Sequence, residues 1–117
     1  MSEQTIDIDN LNGDELKIAI AIELGYTPNN WPPYSLGDLP DWPTDIAAAW
    51  ELDGEGWQWR HTEIYLGEDD TTAIGSWIKL PEANHWIFSI VSLSDFPTKA
   101  AAYATARCRA WLKAKHD

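Results

Sequence analysis

Three closely spaced stretches of strand-like sequence constrain the fold of this chain more than any other feature. They cover residues 57–66, 72–80 and 85–93, and the short turn-like segments Gly67–Asp70 and Pro81–Asn84 separate them. Connections this short join neighbouring antiparallel strands, because a parallel crossover needs about a dozen residues or more. The sequence therefore predicts a three-stranded antiparallel sheet.

Alternation along the strands predicts which side chains share a face of that sheet. The first strand places on one face Trp57, Trp59, His61, Glu63 and Tyr65, and on the other Gln58, Arg60, Thr62, Ile64 and Leu66. The third strand divides in the same way into Trp86, Phe88 and Ile90 against Ile87, Val91 and Leu93. Apolar side chains on both faces favour a strand buried on both sides, so we expect the third strand to be the central one.

Helical patterns precede and follow the predicted sheet. Residues 14–24 predict a helix buried over much of its surface, and Gly25 is placed to end it. A short second helix is predicted to begin at Pro43–Asp45 and to end at Asp53–Gly56, and a third covers residues 98–114. In the third helix we expect a narrow stripe to lie against the sheet, with Ala102, Arg109 and Lys113 facing outward. That stripe consists of Ala100, Ala104, Cys108 and Trp111.

These elements predict an α/β protein of the α+β type, with the order α-α-β-β-β-α and an antiparallel sheet sandwiched between helices. One domain over residues 1–117 is expected, because the length suits a single core. The proline-rich segment 26–43 cannot form a regular element, since proline removes backbone donors and restricts the residue before it. We expect this segment to drape over the core, held by Trp31, Tyr34 and Trp42.

Charge and cysteine content narrow the class of partner and the compartment. The net charge is −11, and residues 1–96 contain 18 acidic side chains against three basic ones, which disfavours duplex nucleic acid. Cys108 is the single cysteine, so no internal disulfide forms. No stretch reaches the roughly 18 apolar residues of a membrane span, and the chain begins without a secretory signal. A soluble protein of the reducing cytoplasm, with no membrane partner, is the expectation.

No catalytic or cofactor motif is found in the sequence, so we predict neither an enzyme nor a cofactor. His61 and His85, with Glu63 nearby, could form a metal pair, but two imidazoles on a sheet are more often packing or hydrogen-bonding residues. Cys108 lies in an alanine-rich helical stripe, which favours a buried thiol over a nucleophile. We therefore predict no metal site.

The eight tryptophans are the unusual feature of the composition. Most are expected in the core, but a minority could form a platform on which a planar ligand stacks, with arginines binding its phosphate. The same exposed rings could equally form a protein interface. The candidate ligand-binding residues are Trp59, Arg60, Trp86, Phe88, Arg107 and Arg109.

Three segments resemble the phage ABA-sandwich domain family, in order and over roughly the whole chain. The first is Leu16–Tyr26, which ends Leu-Gly-Tyr like the opening helix of the family. The second is Leu39-Pro-Asp-Trp-Pro-Thr-Asp-Ile-Ala-Ala-Ala-Trp-Glu51, which is similar to the family signature Pro-x-Tyr-Ser-x-Asp-Ile-x-x-Ala-Trp. The third is Pro97–Leu112, an alanine-rich run that leads into Arg-Cys-Arg-Ala-Trp. Trp42-Pro43 stands where the family usually has Tyr-Ser.

The resemblance implies a helix–sheet–helix sandwich encoded by a phage or prophage, active in the host cytoplasm and without catalytic residues. In it, Asp45 caps the second helix while Ile46 and Trp50 pack. Small phage proteins of one class sequester the nucleotide signals of bacterial immunity without cleaving them, usually as oligomers. By analogy we expect an anti-defence binder of a small nucleotide-like ligand, with a homo-oligomer as one arrangement. The alternative is a structural or host-protein-binding role of the acidic surface.

Overall fold

Two helices precede the three strands along the chain and one helix follows them, in the predicted order. The computed structural model of the protein describes residues 8–11, 13–26, 39–65 and 71–116. The helices are α1 (Gly13–Glu23), α2 (Ile46–Trp50) and α3 (Lys99–Lys115), and the strands are β1 (Gln58–Tyr65), β2 (Thr71–Lys79) and β3 (Ile87–Ser92). Two short 3-10 turns cover Ile8–Asn10 and Leu93–Asp95. The α+β class and the order α-α-β-β-β-α are confirmed.

The three strands form one antiparallel sheet with the order β1-β2-β3. His61 is opposite Ser76, and Ser76 is opposite Ser89, so the three strands share one register. The central strand is β2, and the prediction that the third strand is central was wrong. Side chains along β3 alternate between buried and exposed, so its second apolar face is not covered as expected.

Helix α3 is the middle layer of the described structure. Ala102 and Ala106 pack against Ile74 and Val91 of the sheet, and further along the helix Ala110 and Ala114 pack against Ile78 and Ile87. The opposite side of α3 contacts α1 and α2 through Ala104, Cys108, Trp111 and Leu112. The described layers are therefore the sheet, then α3, then α1 and α2. All three described helices lie on one side of the sheet, so the prediction of a sheet sandwiched between helices was wrong for the described residues.

This arrangement corrects the predicted orientation of α3. Ala104, Cys108 and Trp111 face the other helices instead of the sheet, and Ala100 is exposed. Ala102 and Arg109, which were expected to face outward, are buried. The physical reason is that a helix packed on both sides has no polar face, so its sequence pattern contains no marker of orientation.

Local caps fix the ends of the helices. Gly25 adopts a φ of +100°, where only glycine is unstrained. Its N–H donates to the Ile22 carbonyl at 3.0 Å, and the Tyr26 N–H donates to that of Ala21 at 2.9 Å, which is a Schellman cap. Asp45 caps α2 by accepting from the Ala47 and Ala48 amides, in agreement with the expectation from the family resemblance.

The proline-rich segment is described only from residue 39 onward. Leu39 and Trp42 are buried in the cluster between α1 and α3, as the prediction for Trp42 required. Trp31 and Tyr34, and the predicted turn Gly67–Asp70, lie outside the described residues. Among the helices that the structure describes, none is long and apolar enough to cross a membrane.

Candidate ligand-binding face

The side of the sheet that points away from α3 is the candidate site, and we call it the open face. Its aromatic and aliphatic side chains include Phe88 at 48% exposure, Ile90 at 43% and Trp86 at 37%. Hydrophobic side chains this exposed on neighbouring positions are typical of a surface that binds something. The described positions of the open face are Trp86, which directly precedes β3, and the strand residues Gln58, Arg60, Thr62, Ile64, Ala73, Gly75, Trp77, Lys79, Phe88, Ile90 and Ser92.

An aromatic floor forms the middle of the open face. Trp77 of β2 is directly opposite Phe88 of β3, with ring centroids 6.1 Å apart and planes inclined by 25°. The indole of Trp77 lies back across Gly75: a Cβ atom on Gly75 would be 2.3 Å from two carbons of the indole, Cη2 and Cζ3. Since glycine has no side chain, the ring can lie down on the strand and present a broad flat surface.

A positively charged group borders this floor. Arg60 is opposite Trp77 on β1, and the Cζ atom of its guanidinium is 5.5 Å from the centroid of the Trp86 ring. Stacking on an aromatic ring leaves the N–H donors at the edge of a guanidinium free for other partners. Together these residues enclose a cavity of about 450 Å³, lined by Arg60, Thr62, Trp77, Trp86 and Phe88.

The charge of the open face is opposite to that of the chain. Its described strand positions include Arg60 and Lys79 and no acidic residue, although the net charge of the protein is −11. The acid of β1, Glu63, points to the other side, where it accepts hydrogen bonds from Lys99 and Tyr103. The described strand positions of the open face therefore have a positive charge balance, which favours contact with negatively charged groups.

A second aromatic cluster, on the helix-facing side of β1, surrounds Arg107. Its guanidinium lies 3.6 Å from the ring centroid of Trp59 and 4.6 Å from that of Trp50. Its Nε donates to the Ala49 carbonyl at 2.9 Å, and its Nη2 donates to the carbonyls of Trp50 at 3.2 Å and Leu52 at 2.7 Å. Burial lowers the pKa of Arg107 to about 10, although the negative charge of Asp53 acts in the opposite direction and raises it. These N–H donors therefore bind backbone carbonyls at the C-terminal end of α2.

The ring of His61 stacks on the rings of Trp50 and Trp59. The distances between ring centroids are 4.5 Å to Trp50 and 5.5 Å to Trp59. Its Nε2 is 3.4 Å from Nη1 of Arg107, and because arginine only donates, this nitrogen accepts and Nδ1 carries the proton. Burial, and then the charge of Arg107, lower the pKa of His61 to about 4. The ring is therefore neutral at physiological pH and packs as an aromatic side chain.

Arg109 lies near the N-terminal segment, beside Leu11. It is 7% exposed, and its Nε donates to the Leu11 carbonyl at 3.1 Å. Burial by itself would raise the pKa of the neighbouring Asp9, but hydrogen bonds from Lys113 and Ser89 and the charges of Lys113 and Arg109 bring it below its usual value. Arg109 thus ties the N-terminal segment to α3.

The structure brings together half of the residues predicted to bind ligand. Arg60, Trp86 and Phe88 meet on the open face, whereas Trp59 and Arg107 meet on the opposite side of β1 and Arg109 is near Leu11. Thr62, Gly75, Trp77 and Lys79 were not among the predicted ligand-binding residues, although Thr62 was correctly placed on the same face of β1 as Arg60. The missed signal was a glycine two positions before a tryptophan on one strand, which leaves space for the ring.

The alternative metal and thiol sites are separated or covered. His61 is opposite Ser76, and His85 precedes β3, so β2 lies between the two imidazoles that were considered as a pair. Within the described ranges, no group of three histidine, cysteine or acidic side chains could hold a metal ion. Cys108 is buried between α3 and the other helices, and burial raises the pKa of its thiol.

No protein-family model, curated protein or solved structure matches this chain. Membership of the phage ABA-sandwich family remains a prediction from the three sequence segments.

Proposed function

We propose that this protein is a non-enzymatic binder that sequesters a small nucleotide-like ligand on the open face of its sheet. The observation that carries the proposal is the aromatic floor of Trp77 and Phe88 beside the exposed Arg60, in a cavity of about 450 Å³. Every nucleotide base has a flat face that stacks on aromatic side chains, and guanidinium groups bind phosphate oxygens.

The chemistry of the lining residues supports binding over reaction. Aromatic rings stack, Thr62 offers one hydroxyl, and Arg60 offers charge and hydrogen-bond donors. A ligand held by them is retained unchanged, which is the behaviour of a sequestering protein.

A phage or prophage origin is part of the proposal and rests on the sequence resemblance alone. In that setting, a protein that binds a nucleotide signal of bacterial immunity lowers the free concentration of the signal in the host cytoplasm. Sequestration of this kind needs affinity and abundance but no turnover.

A ligand screen tests the proposed function directly. Thermal-shift measurements and calorimetry with mononucleotides, cyclic dinucleotides and ADP-ribose derivatives should give at least one ligand that raises the melting temperature and binds more tightly than about 1 mM. If no member of these classes binds at that level, the proposal fails.

Matched aromatic substitutions then locate the site. Phe88→Leu removes an exposed ring from the open face, and the loss of one stacking contact of about 1–3 kcal/mol should weaken binding roughly 5- to 150-fold. Tyr65→Leu is the control, because Tyr65 is an exposed aromatic residue of β1 on the other side of the sheet. Equal effects of the two substitutions would place the ligand elsewhere.

A further inference from the structure

The two ends of the open face differ in charge. Lys79 is opposite Gln58 at one end of the β1–β2 pair, and the Arg60 guanidinium leans toward Trp86, which directly precedes β3 at that same end. Toward the other end the face contains Gly75 opposite Ile90, and then Ala73 opposite Ser92. Positive charge is therefore concentrated at one end, and small or apolar residues occupy the other.

The size of the cavity limits the ligand. A volume of about 450 Å³ is in the lower part of the range of roughly 300–1,000 Å³ that is usual for pockets of single small molecules. The floor also contains one extended flat surface, made by Trp77 across Gly75 with Phe88 beside it. One surface of this kind accommodates one base.

The charge of the whole chain disfavours a longer ligand. A polynucleotide that continued beyond Arg60 and Lys79 would extend its phosphates over a protein whose net charge is −11. A single phosphate close to the two cations avoids that repulsion, because electrostatic interactions between exposed groups fade beyond about 10 Å in salt.

We propose that the open face binds one nucleoside monophosphate, with its base on the Trp77 indole above Gly75 and its phosphate toward Arg60 and Lys79. This inference rests on the proposed function and specifies the class and orientation of its ligand. Gly75 becomes a positioning residue, since any side chain there would lift the indole off the strand. Arg60 becomes the residue that recognises the phosphate.

Calorimetry with the full chain tests the ligand class. The probes are AMP, adenosine, ribose 5-phosphate, cyclic di-AMP and a single-stranded deoxyadenosine decamer, with the other three nucleoside monophosphates as a base series. AMP or another monophosphate should bind one per chain, at least tenfold more tightly than its nucleoside and than ribose 5-phosphate.

Two substitutions test the orientation. Arg60→Gln should weaken AMP binding at least tenfold and leave adenosine binding within about twofold, because it removes the phosphate contact and leaves Trp77 and Phe88, the floor for the base, in place. Gly75→Ala should weaken both ligands at least fivefold, since it displaces the floor on which the base stacks. Lys115→Gln, an exposed lysine of α3, is the control and should change neither. Arg60 is exposed, so Arg60→Gln tests the inference even if Gly75→Ala does not fold.

The outcomes separate this inference from the proposed function. Tighter binding of the dinucleotide or the decamer than of every monophosphate, abolished by Phe88→Leu, would overturn the ligand class and leave the proposed function in place. Equal losses of AMP and adenosine in Arg60→Gln would overturn the orientation. Binding of no probe would overturn this inference, and the proposed function would fail with it only if the other cyclic dinucleotides and the ADP-ribose derivatives also do not bind.

Discussion

Arg107 provides, at the scale of one residue, the hydrogen bonds that α2 is too short to provide for itself. A helix of five residues leaves its last carbonyls without helical partners, and three carbonyls at or beyond its end accept from one guanidinium. The flat rings of Trp50 and Trp59 close around the same group. Arg107 is therefore a structural residue, although the sequence made it a candidate for binding the phosphate of a ligand.

Replacement of Arg107 should destabilise the fold. Arg107→Met removes the hydrogen-bond donors to the Trp50 and Leu52 carbonyls and a buried guanidinium, so we expect the free energy of unfolding to fall by about 3 kcal/mol. Arg60→Met is the matched control, and as an exposed change it should cost less than about 0.5 kcal/mol. Urea unfolding followed by tryptophan fluorescence measures both, and similar midpoints for the two variants would contradict the structural role.

His61 should make stability depend on pH. Its pKa is about 4 in the folded protein and 6.5 without the fold, so the unfolded chain binds the proton first as the pH falls. The contribution of the neutral ring is complete above pH 6.5, decreases between pH 6.5 and about 4, and is constant below that. His61→Phe keeps a flat ring but does not titrate, so its stability should decrease less between pH 7 and 5.

Urea unfolding of the wild type and His61→Phe at pH 5, 6, 7 and 8 measures this difference. Acidic side chains titrate in both proteins and cancel in the comparison. Two parallel curves of stability against pH would mean that the folded protein does not depress the pKa of His61.

At the scale of elements, α3 depends on its small residues. Ala102 and Ala106 let the helix backbone approach β2 and β3, and Ala104 and Cys108 allow the same approach from α1 and α2. A helix held on two sides has little space for larger side chains. The alanine-rich sequence of α3 is explained by this double contact.

Enlargement of one sheet-facing alanine tests that explanation. Ala106→Leu inserts a side chain into a fully buried contact and should cost about 1–3 kcal/mol, whereas Ala100→Leu on the exposed side of the same helix should stay within about 0.5 kcal/mol. Thermal unfolding followed by circular dichroism compares the pair. Equal melting temperatures would show that the sheet does not pack closely on α3 at this position.

The cap of α2 gives a smaller effect. Asp45→Ala removes the acceptor for the amides of Ala47 and Ala48 and should cost about 1 kcal/mol, while Asp45→Asn, which also accepts, should cost only a few tenths. Chemical unfolding of the two variants at one pH checks this order. Equal losses would indicate that the charge of Asp45, and not its hydrogen bonds, supports the helix.

Local signals explain which elements could be predicted from the sequence. The glycine at the end of α1 and the alternation in β3 each depend on a few neighbouring residues, and both predictions hold in the structure. The orientation of α3 and the position of β3 at the sheet edge depend on which elements pack together. Alanine on every side of a helix, and apolar residues on both sides of a strand, do not indicate which side packs against which element.

The site shows the same limit at the scale of the whole molecule. Alternation correctly placed Trp86 and Phe88 on one face and Arg60 and Thr62 on one face, but only the layer order leaves this side of the sheet uncovered by the described helices. Arg107 and Arg109 had the chemistry for phosphate, yet both are buried on the side of α3 that faces the other helices and the N-terminal segment. Membership of a site was decided by packing over the whole chain.

One substitution made on both faces of β3 tests whether the open face is uncovered in solution. Ile87 is 8% exposed and faces α3, and Ile90 is 43% exposed on the open face. Ile87→Thr places a hydroxyl in the core and should cost about 2–3 kcal/mol, whereas Ile90→Thr should stay within about 0.5 kcal/mol because threonine also suits a strand. Urea unfolding measures the two costs, and light scattering gives the mass. A large cost of Ile90→Thr with a loss of mass would mean that a second copy of the chain covers the open face, and the cavity would then be an interface between subunits.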